Sequence, residues 1–363
     1  MRRWLGLALA ALLAVAVLGA IVASVAQKIH PAAPLTVVRG VIGSEKLPYF
    51  QDPAVIQAFH DNGFDVQVDT AGSRQIATSV DLSKYDFAFP AGVPAAQKIK
   101  SDHKAKAIYQ PFYTPMAIAT FKPIAQLLIA SKVATDNGSY ISFDMKAFLA
   151  LVAANKRWSD LPGSAAAYPS SKSILITSTD VRTSNSAAMY LSLASYVANG
   201  NNIVQDAGQA TAVLPMVEPI FLKQGLTATS SEEPFQDYLS IGIGKTPMVM
   251  IYEAQFLAAA AANNGSITKD MVLMYPDPDV LSKHTVVPLT TNGDRIGQLL
   301  LNNPQLQKLA TKYGFRTNNP AAFNQFLKDH NLTSPSLVNL IEPPTYENLE
   351  AMITAIQQQM QGG

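Results

Sequence analysis

The sequence predicts an α/β protein with two βα-rich domains joined by two hinge crossings, preceded by an N-terminal transmembrane or signal helix. Three observations lead to this prediction. Short β-branched runs alternate with segments of helical periodicity. Two extended segments punctuated by proline interrupt that alternation, near 107–120 and 275–290. A long apolar run also follows the first three residues.

The N-terminal run extends from Trp4 to Ala26 without a charged residue, directly after Arg2 and Arg3. About 20 apolar residues cross a bilayer, and a positive flank stays on the cytoplasmic side, so the rest of the chain is expected to be exported. Residues 1–26 are read either as an uncleaved anchor or as a signal peptide cut after Ala26. The run exceeds the roughly 7–15 apolar residues of a signal core, which favours the anchor. The soluble part would then sit outside the cytoplasm at the cell membrane, or be periplasmic or secreted if the leader is cleaved.

Composition excludes several classes of protein. The 363 residues carry a formal net charge of +1, with 48% hydrophobic and 15% charged residues, so no basic surface for nucleic acid is expected. The chain has no cysteine, which excludes disulfides, thiolate metal sites and a lipidated cysteine anchor. Any membrane attachment would depend on the first helix.

The first β/α region begins after a short linker, 27–34. Residues 35–42 (LTVVRGVI) predict a strand, and 52–63 predict a helix capped by Asp52 and ended by Gly63. A strand over 64–70, a helix from AGSRQIATSV and a strand over 85–90 follow. Strands that alternate with helices predict a parallel sheet whose binding crevice lies at the carboxyl ends of the strands.

The second region repeats this order after the first extended crossing. The pattern predicts helices at IAQLLIASKVA and FDMKAFLALVAANK, a strand over 173–179, a helix ending at Gly200, a helix over 208–224, a strand over 246–253, the helix FLAAAAANNG and further helices after the second crossing. The first domain is therefore predicted to be discontinuous, 35–112 plus 285–363, with a second domain inserted over 113–284. A cleft between two such domains is a common place for a small ligand.

Catalytic and metal motifs are not supported. GIGKT (242–246) resembles a phosphate loop, but Leu239 stands where that motif needs glycine, and Pro247 follows where a helix would begin. The five histidines are widely separated, and no GxSxG is present. We therefore predict no catalytic residue, no metal site, no cofactor and no enzymatic activity.

Three predicted junctions between a strand and a helix combine hydroxyl groups with the free N–H groups of a helix start. They are GSEK (43–46), AGSRQ (71–75) and TDVRTSNS (179–186). Such a junction is either an ordinary N-cap or an anion site. Tyr252 and Glu253 end a further strand, and the tyrosine either packs its ring there or donates to a ligand.

These segments resemble the type II periplasmic substrate-binding proteins, most closely their molybdate-binding branch, over roughly 35–316. The resemblance is carried by LTVVRGVIGSEK, PAVIQAFHDNG, FDVQVDTAGSRQIA, YDFAFPAG, MVMIYEAQFLAAA, VVPLTT and LNNPQLQKLATKYGFR. It implies oxyanion contacts from the hydroxyls of Ser44, Ser73 and Tyr252, and from the backbone around 183–185. The chain departs from the family by placing charged residues beside these positions. The predicted ligand-binding set is Ser44, Glu45, Lys46, Ser73, Arg74, Arg182, Thr183, Ser184, Asn185, Tyr252 and Glu253.

The resemblance implies a monomeric extracytoplasmic protein that captures a small polar or anionic solute, such as an oxyanion or zwitterion, for an ABC-transporter permease or a membrane sensor. The alternative is a membrane-anchored cell-surface scaffold or sensor with the same fold and no role in transport. A cleft filled by apolar side chains would favour the scaffold.

Overall fold

The computed structural model describes residues 34–225, 227–336 and 339–362. The predicted anchor or signal peptide, 1–26, and all of the linker except Pro34 lie outside these ranges. No helix within them is both long and apolar enough to cross a bilayer.

The strands of the described ranges join in one mixed sheet. They are β1 (Thr36–Ile42), β2 (Phe64–Thr70), β3 (Phe87–Phe89), β4 (Tyr109–Phe121), β5 (Ala134–Asp136), β6 (Ile141–Asp144), β7 (Met248–Tyr252), β8 (Met271–Asp277), β9 (Asp279–Pro288) and β10 (Leu340–Ile341). The order is β2-β1-β3-β9-β4-β8-β6-β5, with β7 beside β4 and β10 beside β9.

The helices fill the connections between these strands and follow β10. They are α1 (Leu47–Phe50), α2 (Pro53–Asp61), α3 (Ser73–Thr78), α4 (Val93–Asp102), α5 (Lys122–Ala130), α6 (Met145–Ala153), α7 (Ser164–Ala167), α8 (Asn185–Ala198), α9 (Ala207–Val217), α10 (Pro219–Leu222), α11 (Glu232–Ser240), α12 (Glu253–Ala261), α13 (Thr291–Asn302), α14 (Pro304–Thr311), α15 (Pro320–Asp329) and α16 (Tyr346–Gly362).

The sheet contains two groups of strands. In the first strand group, β1 pairs in parallel with β2 and with β3. In the second strand group, β7 and β8 run antiparallel to the end of β4, and β6 runs parallel to β8. The alternation of strands and helices predicted a parallel sheet. The observed sheet is mixed, because the strands that connect the two groups, β4 and β9, run antiparallel to their neighbours.

The two groups are connected by β4 and β9, which we call the crossing pair. The first half of β4 pairs antiparallel with β9, from Tyr109 opposite Val286 to Pro115 opposite Leu281. Its second half pairs with β7 and β8, while the end of β9 pairs with β3. The register shifts between Tyr109 and Phe112, where a proline without an N–H would interrupt a regular ladder. The two predicted extended segments thus form one ladder.

Two predictions of local structure are corrected. Residues 173–179 form no strand and make only single bridges, at Ser173 and Thr177. The run stops pairing because the next N–H, that of Ser178, donates to the side chain of Gln224. The helix predicted over 208–224 is divided into α9 and α10 at Pro219, whose nitrogen cannot donate to the preceding turn.

Helix α16 belongs to the predicted first domain by sequence but packs over both groups. It contacts α9, α10 and α8, which follow the second strand group, and also α4 of the first. The ammonium group of Lys98 in α4 lies 5.8 Å from the ring centroid of Tyr346 in α16. The C-terminal helix is therefore a second connection between the groups.

Gly293 lies where α13 passes close to the residue that precedes β3. A Cβ at this position would lie 1.8 Å from the carbonyl oxygen of Asp86, whereas a Cβ at Gly244 would meet nothing within 4 Å. We expect Gly293→Ala to lower the free energy of unfolding by about 1–3 kcal/mol, because helix and strand must separate. Gly244→Ala should change it little. Urea denaturation of the two variants measures the difference, and equal stabilities would contradict the close approach.

Candidate functional site

A polar cavity of about 160 Å³ lies between the two strand groups. The first group contributes residues that follow β1 and β2, and the second contributes the start of α8, the segment before α11 and the end of β7. The lining residues are Gly43, Ser44, Glu45, Thr70, Ala71, Gly72, Ser73, Gln75, Ser184, Asn185, Thr229, Ser230, Ser231 and Tyr252. Six of the predicted site residues, Ser44, Glu45, Ser73, Ser184, Asn185 and Tyr252, therefore meet at one cavity.

Ser73 is the first residue of α3 and is 4% exposed. Its Oγ accepts a hydrogen bond of 2.9 Å from the backbone N–H of Ala91. Because that bond uses a lone pair of the hydroxyl, the Ser73 hydrogen is left to donate to another acceptor. The preceding Gly72 donates its N–H to Oε1 of Gln75 at 3.1 Å, which fixes the start of the helix.

Tyr252 and Asn185 form the wall contributed by the second strand group. The Asn185 Nδ2 donates to the Tyr252 hydroxyl at 3.1 Å and to Ser282 Oγ at 3.3 Å. Tyr252 is 2% exposed, and burial raises its pKa far above the usual value. The phenol therefore stays protonated, and it has both Asn185 and the Ser282 hydroxyl as hydrogen-bond partners.

At two helix starts beside the cavity the N-cap residue makes no side-chain cap bond. Ser184 occupies the N-cap position of α8 without capping it, and its Oγ instead lies 3.0 Å from Ser186 Oγ. Ser231 likewise occupies the N-cap position of α11 without a cap bond of its own, although the Glu232 N–H of that helix donates to Ser230 Oγ at 3.2 Å. The first N–H groups of a helix have no partner within it and carry partial positive charge, so such ends favour an anion.

Five lining residues with polar side chains were missed by the sequence analysis: Thr70, Gln75, Thr229, Ser230 and Ser231. Ser230 contacts the opposite side directly, since its Oγ lies 2.7 Å from Ser44 Oγ. The available signal was the hydroxyl run TATSS before a helix, the same pattern that identified the other junctions. It was missed because no strand precedes it.

Four further residues of the predicted set do not line the cavity: Lys46, Arg74, Arg182 and Thr183. Arg74 pairs with Glu350 and donates through Nη1 to the carbonyl oxygen of Arg182 at 2.9 Å. Its backbone N–H donates to the carbonyl oxygen of Thr183 at 3.2 Å. Arg182 turns back to Asp180, to which its Nε donates at 2.8 Å. The Arg74 contacts with residues 182 and 183 cross from one side of the cavity to the other, and Lys46 does not line it.

Glu253 is the eleventh predicted residue and also faces away from the cavity. It is fully buried, where Arg316 Nη2 approaches its Oε2 at 2.9 Å and the Tyr275 hydroxyl donates to its Oε1 at 2.8 Å. A buried carboxylate needs such partners because desolvation disfavours its charge. Its place at the end of a strand gave no sign of Arg316, which comes from a distant segment.

At the cavity wall, the side chain of Glu45 forms a buried cluster with Lys46 and His284. Lys46 pairs with Glu45, and its Nζ lies 3.1 Å from His284 Nδ1 and 4.8 Å from the ring centroid of Phe89. Lys46 and His284 are fully buried, and the Glu45 side chain is 6% exposed. Burial, with Lys46 beside it, lowers the pKa of His284 to about 4, so the imidazole is neutral at neutral pH.

No cluster of three or more metal-ligating side chains is found within the described residues.

Comparison with known proteins gives a fold and leaves the ligand open. No protein-family model matches the sequence, and no curated protein matches it either. Solved structures do match at very low identity. The sulfate-binding protein SubI from Mycobacterium tuberculosis H37Rv aligns with a TM-score of 0.55 and 17% identity over 89% of this chain and 99% of its own.

Two further structures have similar scores and different ligands. The periplasmic binding protein AfuA from Actinobacillus pleuropneumoniae, with fructose-6-phosphate bound, gives a TM-score of 0.53 at 9% identity over 90% of this chain and 97% of its own. Iron-bound HitA from Pseudomonas aeruginosa gives a TM-score of 0.52 at 11% identity, over 90% of this chain and 99% of its own. The predicted α/β fold and the resemblance to periplasmic substrate-binding proteins are therefore confirmed at the level of fold.

The buried histidine makes stability depend on pH. In the unfolded chain His284 titrates near its ordinary pKa of about 6.5, whereas in the folded protein its pKa is about 4. Between these values only the unfolded chain binds the proton, so the free energy of unfolding should fall as the pH falls, by up to about 3 kcal/mol. Chemical denaturation at a series of pH values measures this loss.

A His284→Gln variant should lose this part of the pH dependence, whatever its stability at neutral pH. His60→Gln serves as the control, since His60 is partly exposed and the variant should keep the wild-type profile. Parallel profiles for wild type and His284→Gln between these two pH values would contradict the assignment.

Proposed function

We propose that this chain is an extracytoplasmic solute-binding protein that holds a small polar or anionic ligand in the cavity between the two strand groups. The observation that carries the proposal is the cavity itself, which is lined from both strand groups, mainly by hydrogen-bond donors. Ser44, Ser73 and Gln75 lie on one side, and Asn185 and Tyr252 on the other.

The size of the cavity limits the ligand. Its volume of about 160 Å³ is close to that of an engineered cavity of about 150 Å³ that holds benzene. Ligand sites for drug-sized molecules are larger, about 300–1,000 Å³. A solute of a few non-hydrogen atoms, such as a tetrahedral oxyanion, is the size class that fits.

The chemistry of the lining favours negative charge on the ligand. The Ser73 hydroxyl already accepts one hydrogen bond, so its hydrogen can be donated to an acceptor on the ligand. The start of α8, whose N-cap side chain makes no cap bond, adds backbone N–H groups. Donors of this kind bind an anion without a full counter-charge beside it.

We further propose that residues 35–112 plus 285–363 and residues 113–284 move as two lobes about the crossing pair. Contacts made across the cavity support this division, because they belong to a closed arrangement. They include the bond from the Arg74 N–H to the Thr183 carbonyl and the contact of Ser44 with Ser230. Closure around a ligand excludes water and strengthens each polar interaction.

The proposed partners follow from the fold. Delivery to an ABC-transporter permease, with the apolar segment 1–26 as anchor or cleaved leader and the soluble part as a monomer, is the role that we propose. The scaffold alternative predicted a cleft filled by apolar side chains, and the polar lining of the cavity favours ligand capture over it.

The direct test is a thermal-shift screen of the fragment that begins at Gln27. Oxyanions, amino acids and metal ions are added singly, and a ligand of the closed form should raise the melting temperature in proportion to the logarithm of its concentration above Kd. Calorimetric titration of each hit should give one site per chain. The proposal fails if no compound of these classes binds.

Gly72→Ala tests closure separately from the ligand contacts. A Cβ at Gly72 would lie 2.3 Å from the carbonyl oxygen of Thr183 on the opposite lobe, and opening the lobes relieves that clash. We expect ligand affinity, measured by calorimetry, to fall roughly 10- to 100-fold. The melting temperature without ligand should change little, as in the control Gly244→Ala. Unchanged affinity in Gly72→Ala would show that the lobes need not approach this closely.

A further inference from the structure

A second cavity, of about 680 Å³, lies among the segments that connect the second strand group and shares no lining residue with the first cavity. Its walls come from the residues after α6, the irregular segment 171–178, the segment before α11, α11 itself and the residues before β7. All of these lie in the predicted inserted domain, 113–284, so this cavity does not depend on closure of the proposed lobes. Its volume is in the range of about 300–1,000 Å³ that is usual for sites of organic ligands.

Cationic side chains outnumber carboxylates in the lining of this second cavity by four to two. The cationic residues are Arg157, Lys172, Lys223 and Lys245, and the acidic residues are Glu233 and Asp237. Within the described residues, one ion pair joins members of this set, with 2.7 Å between Lys245 Nζ and Asp237 Oδ2. Three cations and one carboxylate therefore remain without a partner of opposite charge in the lining.

The three remaining cations are held by neutral acceptors. Arg157 Nη1 and Lys172 Nζ each donate to a backbone carbonyl oxygen at 2.8 Å, and Lys223 Nζ donates to Asn155 Oδ1 at 2.5 Å. These bonds position the cations at the cavity and leave their charge uncompensated. A concave surface with an excess of one sign of charge concentrates ligands of the opposite sign, so the second cavity favours an anion.

Two buried polar groups of the lining residues add hydrogen-bond donors to this wall. Trp158 Nε1 and Ser178 Oγ have no hydrogen-bond partner among the described residues, and the two residues are 0% and 1% exposed. Buried polar groups nearly always have a partner, which is water or a bound group where the chain supplies none. An indole N–H can only donate, and a hydroxyl can also donate. The unmet hydrogen bonds of the wall are thus suited to acceptor atoms.

The rest of the wall is partly apolar, because Trp158, Leu175, Pro234 and Pro247 also line it. An inorganic oxyanion would touch few of these side chains and would leave most of a cavity of this size to water. A ligand that fills the cavity therefore needs a carbon skeleton as well as negative charge.

We propose that the second cavity is a separate ligand site for an organic anion with two or more negative charges, such as a phosphomonoester or a polycarboxylate. Lys172, Lys223 and Arg157 compensate the charge of the ligand, and Trp158 and Leu175 pack against its carbon skeleton. The site goes beyond the proposed function, because it belongs to one proposed lobe and operates whether or not the other cavity holds a ligand.

The test on the wild-type protein is calorimetric titration of the full chain, in a non-ionic detergent, with glucose 6-phosphate and with citrate. At least one of these anions should bind at one site per chain with a Kd below about 1 mM, and the affinity should fall as salt is added. Binding of one and not the other would show whether the site takes phosphoryl or carboxylate groups. Glucose is the neutral control and should not bind. The proposal is overturned if neither anion binds at about 10 mM, or if glucose binds as tightly.

Lys172→Gln combined with Lys223→Gln removes two of the uncompensated charges. The affinity for the anion that binds should fall at least about tenfold, because two charged hydrogen bonds to the ligand are lost. Lys146→Gln combined with Lys269→Gln is the matched control, since both lysines are exposed, belong to 113–284 and do not line the second cavity. Equal affinities in the two double variants would contradict the assignment.

Glu233→Gln should act in the opposite direction. Glu233 is an exposed carboxylate of the lining that makes no ion pair within the described residues, so its removal should raise the affinity for the anion roughly two- to fivefold. General damage to the fold would not produce a gain, which keeps the test decisive if the double lysine variant fails to fold. Gly72→Ala, which hinders closure around the first cavity, should leave the affinity for the anion unchanged. A loss in that variant would place the anion in the first cavity and overturn the second site.

Discussion

The antiparallel ladder between β4 and β9 is the interaction on which the rest of the molecule depends. The strand β4, of thirteen residues, pairs first with β9 and then with β7 and β8. Its backbone hydrogen bonds therefore connect the two strand groups. Fully buried side chains of the crossing strands, among them Phe112 and Met116, belong to one apolar cluster that reaches from β1 to α16. Because the ladder joins the two groups, it is also the proposed axis about which the cavity between them opens and closes.

The placement of charge follows a consistent rule. Each buried or half-buried arginine near the site has a carboxylate partner outside the cavity, as Arg316 has in Glu253 and Arg74 in Glu350. Pairing them removes fixed positive charge from the lining and leaves hydroxyls, amides and helix starts there. Glu45 is the carboxylate among the described lining residues, and it is paired with Lys46, which is fully buried.

Local sequence rules predicted helix caps and the position of much of the cavity lining correctly. Asp52 accepts from the Ala54 N–H at the start of α2, as a capping residue before Pro53 predicts, and the junctions at Ser44, Ser73 and Asn185 do converge. The same rules failed where the partner is distant in sequence. Nothing near Glu253 indicates Arg316, and nothing near Arg74 indicates Glu350, so both side chains were assigned to the ligand. Ser230 was overlooked because an irregular segment, rather than a strand, leads into its helix.

Arg74 also connects the site with the kinetics of ligand exchange. Its backbone and guanidinium contact residues 182 and 183 across the cavity, while the same guanidinium is held by Glu350 on α16, a helix that packs on both groups. If the proposed lobes open to release a ligand, these contacts have to break first. The dissociation rate, and with it the residence time of the ligand, would then be set at the outer surface of the protein, where a partner that displaces α16 could accelerate release without touching the ligand.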